Sequence, residues 1–112
     1  MGRTVAMLAR RLSDDAVRSG LRGPSVSAGL DEAGRLDLPR LEGVISSLAA
    51  APGASAEIVA HPGEPDDPER ERYHWGFRWS SELDALTSST IRSVVDRNGF
   101  VLGTYEDLTV VD

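Results

Sequence analysis

Val5, Leu8, Leu12 and Ala16 recur at spacings of three and four, a period that predicts an amphipathic helix over about residues 4–19. Gly20 is a natural stop for it. After the Gly23-Pro24 turn signal, the run from Val26 to Leu30 predicts a short strand, and residues 31–36 read as a loop. Leu38, Leu41, Ile45 and Leu48 share one face of a second helix over about 38–50, with Asp37 placed to cap it and Pro39 in its first turn. Pro52-Gly53 breaks the chain. Ala56-Glu57-Ile58-Val59-Ala60 is short, apolar and partly β-branched, and predicts a buried strand that ends at His61-Pro62-Gly63. Residues 62–72, rich in proline and acid, read as a loop. A third helix begins near Ser80 or Ser81, carries Leu83 and Leu86, and continues or restarts through Ile91, Val94 and Val95 up to Asn98-Gly99. Phe100 to Tyr105 predicts a last strand, closed by a turn at Glu106 and Asp107.

Helix and strand therefore alternate, which predicts an α/β fold with a parallel sheet. Such sheets are normally covered by helices on both faces. Three short strands would leave two open edges, so the pattern reads as a piece of something larger.

The length of 112 residues suits a single domain. Twelve basic residues against eighteen acidic ones give a formal net charge of −6, which argues against nucleic acid or an anionic membrane as a general partner. Every basic residue is arginine, so Schiff-base and Walker-type lysine chemistry are excluded. Cysteine is absent, which excludes disulfides, thiolate catalysis and cysteine-ligated metals. Val5 to Ala9 is too short for the apolar core of a signal peptide, and no stretch reaches the roughly 20 apolar residues of a membrane span. A cytoplasmic protein is the expectation.

His61 is the main chemical signal. It falls at the expected carboxyl end of a strand, where α/β folds place ligands and reactive groups. An imidazole there can serve as ligand, acid or base, or can be a histidine bonded into a neighbouring loop. Glu64, Asp66, Asp67 and Glu69 follow it and read either as a solvated acidic loop, or as groups that orient the imidazole or help bind a cation through oxygen. Tyr73, His74, Trp75, Phe77 and Trp79 concentrate aromatic rings in seven positions. Flat rings suit the C–H face of a sugar, and they equally fill cores. No HExxH, phosphate loop or serine elbow is present.

The ordered set Ala56 to Gly63 with its His-Pro-Gly, Asp66, Ser81-Glu82-Leu83-Asp84-Ala85-Leu86-Thr87-Ser88, Asn98-Gly99-Phe100 and Leu102 to Leu108 resembles the C-terminal region of YdjC-like carbohydrate deacetylases. These include chitooligosaccharide and hopanoid-associated deacetylases. The turns at Ala28-Gly29-Leu30 and Ala33-Gly34-Arg35-Leu36 add to the likeness. The resemblance implies the C-terminal strands and helices of a partial (β/α) barrel. It also implies deacetylation of N-acetylated sugars or oligosaccharides by water activated on a divalent metal, magnesium or zinc.

On that likeness His61 is the general acid toward the leaving amine, or the stabiliser of the oxyanion, and Asp66 orients it or binds substrate. Members carry an arginine three residues before the Glu of Glu-Leu. Here Trp79 stands there with Arg78 one step earlier, so Trp75, Arg78 and Trp79 are the candidate substrate contacts. The family's metal ligands lie in N-terminal motifs that this sequence lacks, so no metal ligand is assigned in this chain. The resemblance thus implies a truncated homologue, inactive alone, that a homodimer or a separate N-terminal half would complete. The alternative is a non-catalytic binding or assembly module.

Overall fold

A computed structural model describes residues 2–108. Helix α1 covers Arg3–Arg18, strand β1 Val26–Ala28, helix α2 Leu38–Ala49 and strand β2 Ala56–Ile58. A 3-10 turn at Pro68–Arg72 precedes helices α3 (Trp79–Thr87) and α4 (Ser89–Arg97), and a second one follows at Tyr105–Asp107. The two strands pair in parallel, with Val26 opposite Ala56, Ser27 opposite Glu57 and Ala28 opposite Ile58. The Val59 N–H extends this ladder by donating to the Ala28 carbonyl at 2.9 Å.

The core lies where α2, α3 and α4 meet. Leu36, Leu41, Ile45, Ala85, Ile91 and Val94 are buried there, with Ile58, Ala60, Val95 and Phe100 packed against them. Leu41, Ile45 and Leu48 are the buried residues of α2, which is three of the four positions that the heptad-like spacing selects. Asp37 caps α2 by accepting the Arg40 N–H at 3.3 Å, with proline in the first turn as expected.

The structure decides three points. First, the segment through 80–98 restarts and does not continue: it is two helices, because Ser88 adopts an extended conformation and its hydroxyl accepts the Ile91 N–H at 3.1 Å. That hydroxyl supplies a cap and starts a new helix. Second, β2 is not buried; its residues are half-exposed or exposed, since a two-stranded sheet leaves it an open edge. Third, residues 100–104 form no strand. Their flanking backbone groups are consumed locally. Phe100 N–H bonds the Val95 carbonyl at 3.1 Å and Gly99 N–H bonds the Asp96 carbonyl at 3.0 Å, the Schellman pair that closes α4.

At the other end of that segment, the Asp107 carboxylate accepts the Thr104 N–H at 2.7 Å and the Thr104 hydroxyl at 3.1 Å. The amide, then the hydroxyl, hold the Asp107 carboxyl below its ordinary range. A depressed carboxylate contributes above its unfolded pKa and is lost as pH falls through the folded value. The Thr104 amide resonance should therefore move in acid with a midpoint below the usual aspartate value of about 3.9, as followed by NMR titration. A midpoint at or above that value would contradict the bond.

Candidate functional site

The site grows from the end of β2. Beyond Ile58 the chain runs through Val59 and Ala60 to His61, whose backbone N–H donates to Glu82 Oε2 at 2.5 Å. The second oxygen of that carboxylate accepts the Leu36 N–H at 3.1 Å. Glu82 is 0% exposed. One buried side chain on α3 therefore fastens both the loop before α2 and the segment after β2. An ionised carboxylate taken from water needs such donors, and these two backbone amides need an acceptor.

The aromatic segment wraps against the same loop. Arg78 N–H donates to the Gly34 carbonyl at 2.8 Å, and Gly63 N–H donates to the Trp79 carbonyl at 3.1 Å. The Phe77 ring lies over Gly34, where φ is +75° and an added Cβ would overlap the ring. Rings then follow one another: His61 meets Phe77 edge-on at 5.0 Å and Trp79 at 6.3 Å between centroids. Phe77 and Trp79 are 5.0 Å apart, Trp75 is 5.9 Å from Trp79, and Tyr73 is 5.0 Å from Trp75. These separations suit edge-to-face and tilted packing. The inner rings, Phe77 and Trp79, are half-buried, while Trp75 is 60% exposed and Tyr73 is exposed.

His61 is half-buried. Its Nδ1 is enclosed and has no hydrogen-bond partner, the one buried side-chain polar atom so left among the described residues. Buried polar side-chain atoms normally have a partner, so this nitrogen is the open hydrogen-bonding position of the ring cluster.

The other candidates divide. The structure brings Trp75 and Trp79 together with His61 in one ring cluster. Arg78 stands at the N-terminal boundary of α3 without a side-chain cap, and its guanidinium faces the Asp37 carboxylate at 3.7 Å, so it is engaged with the cap of α2. Asp66 is exposed in a turn and makes no hydrogen bond or ion pair to His61. The imidazole's ring neighbours are instead Phe77 and Trp79. His74 is exposed. Among the described residues no three His, Cys, Asp or Glu side chains stand where they could hold a metal ion. The described residues therefore do not fit a divalent metal site.

Sequence reasoning passed over two residues. Glu82 read only as part of a helix start, because glutamate normally faces water. The available signal was its place three residues before Ala85, on the face that is buried. Phe77 was one ring among five, and nothing in the sequence set it against Gly34.

No helix among the described residues is long and apolar enough to cross a membrane. No protein-family model matches the chain, and no solved structure matches it. A chitooligosaccharide deacetylase of Proteus mirabilis (strain HI4320) is 37% identical over 54 residues, which cover 48% of this chain. The match spans 21% of that relative, about a fifth of its length. Over roughly half of its own length, then, the chain is similar to part of a carbohydrate deacetylase.

Proposed function

We propose that this chain is a truncated homologue of a carbohydrate deacetylase and contributes the sugar-facing part of such a site. The observation that carries the reading is the imidazole of His61 set in a continuous line of rings that passes through Trp79 to the exposed Trp75 and Tyr73. The partial likeness to the chitooligosaccharide deacetylase supports it. Tyr73 and Trp75 offer flat apolar faces to the C–H face of an N-acetylated sugar. His61, protonated, would deliver a proton to the amine nitrogen as its bond to the acetyl carbon breaks.

A divalent metal, magnesium or zinc, would supply the attacking water in a complete enzyme of this kind. The ligands for it are not among the described residues, so they would come from an N-terminal half in the same barrel. The lack of a converging ligand set also favours a second reading, a binding module that retains sugar affinity without turnover.

N-acetylglucosamine oligomers titrated into the chain should quench or shift tryptophan fluorescence, and Trp75→Ala should weaken binding about tenfold. Acetate release by the isolated chain should be undetectable with or without added magnesium or zinc. No fluorescence response up to millimolar oligomer would end the sugar reading. Metal-dependent acetate release would end the claim that the site is incomplete.

A further inference from the structure

The chain holds one asparagine, Asn98, and no glutamine, so a single side-chain carboxamide is present in 112 residues. Gly99 follows it. A residue without a Cβ offers the least hindered backbone nitrogen to the side chain before it. Attack of the Gly99 nitrogen on Asn98 Cγ forms a carbon–nitrogen bond and closes a five-membered imide. The Cγ–Nδ2 bond breaks, and Nδ2 leaves as ammonia with the proton that the Gly99 nitrogen gave up. Water then opens the ring. Cleavage at Cγ leaves aspartate, and cleavage at the backbone carbonyl leaves isoaspartate, in which the main chain runs through Cβ. Water is the one co-reactant required.

The fold holds each reacting group away from this course. Asn98 is the C-cap of α4, with ψ of 4°. The five ring atoms have to lie near one plane, which requires the Cα–C bond to turn far from that angle. Gly99 N–H donates to the Asp96 carbonyl at 3.0 Å, and Phe100 N–H to the Val95 carbonyl at 3.1 Å. Nδ2 of Asn98 donates to the Val94 carbonyl at 2.8 Å. Phe100 in turn packs against the buried core. Gly99 sits at φ +77°, where a side chain would be strained. The glycine that suits the cap is therefore the one that leaves the attack unhindered.

We propose that Asn98-Gly99 is a self-modification site, held shut by the cap of α4 and released when that turn opens. The product does not restore the cap, so the step works as a one-way switch. Aspartate at position 98 puts an acceptor in place of the donor that faces the Val94 carbonyl, and sets a negative charge at the negative end of a helix. Isoaspartate lengthens the main chain by one atom just before Gly99. That displaces the Gly99 and Phe100 N–H groups from the Asp96 and Val95 carbonyls. Residues 99–105 wall a cleft of about 1100 Å³ against α2, β2 and α4, so either product loosens that wall.

In mildly alkaline buffer, the intact mass of the full chain reports Asn98 alone, since no other carboxamide side chain is present to become an acid. The folded chain should convert at least about tenfold more slowly than the same chain in guanidinium chloride, because only molecules with the last turn open react. Below the unfolding midpoint, the rate should climb with added denaturant in step with hydrogen exchange of the Gly99 amide. Peptide mapping should place both aspartate and isoaspartate at position 98. Asn98→Asp makes one product directly. It should speed exchange of the Gly99 and Phe100 amides more than Asn98→Ala, which removes the donor without adding charge. Equal rates in folded and unfolded chains overturn the gate, as does a rate that follows global unfolding alone. No conversion in the unfolded chain overturns the site itself. Exchange at Gly99 and Phe100 no faster in Asn98→Asp than in Asn98→Ala overturns the switch.

Discussion

Glu82→Ala should cost about 3–5 kcal/mol, because it strips the acceptor from two backbone amides and leaves a void. The carboxylate is 0% exposed and receives Leu36 N–H at 3.1 Å and His61 N–H at 2.5 Å. Neither amide has water at hand in that position once the side chain is gone, unless the loops part. Leu36 is itself a fully buried member of the core, so the loss reaches beyond the site. Glu82→Gln keeps the volume and one acceptor oxygen, and should cost about half as much. Urea unfolding measures both. A loss under about 0.5 kcal/mol for the alanine variant would place Glu82 with ordinary surface positions and dissolve its role as a tether. Because the same bond fixes the backbone of His61, Glu82→Gln should also change the fluorescence of the neighbouring Trp79 while the chain is still folded.

The second large effect belongs to Gly34. At φ +75° a side chain is already disfavoured, at about 1–2 kcal/mol for an L-residue. An added methyl would also overlap the Phe77 ring. Gly34→Ala should therefore destabilise by about 2–4 kcal/mol once overpacking is included. A domain of this size has roughly 5–15 kcal/mol in hand, so the change is readily measured as a fall in the urea midpoint. Phe77 is also the ring closest to His61, at 5.0 Å. If Phe77→Ala relieves the clash, adding it to Gly34→Ala should cost less than the sum of the two changes, since residues in contact couple. Strict additivity would show that the ring does not rest on Gly34.

How much of this was legible in the sequence differs by element. α1 and α2 were readable within a residue or two, because a 3.6-residue period with Asp37, Pro39 and Gly20 as punctuation is local chemistry. The break at Ser88 was half-legible: a serine that caps and a serine inside a helix look alike until its hydroxyl is seen on Ile91 N–H. Phe100 to Tyr105 misled, since a β-branched and aromatic run signals a strand only if another strand lies beside it. There the local turns at Val95–Phe100 and Thr104–Asp107 took the backbone groups instead.

The candidate site shows the same division. Order in the chain alone set His61 just past β2 and gathered the rings of Tyr73, Trp75, Phe77 and Trp79 within a few positions. Nothing in that order pointed Arg78 at Asp37, or left Nδ1 of His61 enclosed without a partner. Period, caps and breakers act between residues that are neighbours along the chain, so the helices were determined by the sequence itself, whereas the pairing of Val26–Ala28 with Ala56–Ile58, 30 residues apart, was not. Burial of Glu82 between Leu36 and His61, 46 and 21 residues away, was decided only when the packed helices excluded water and made one carboxylate the acceptor for both amides.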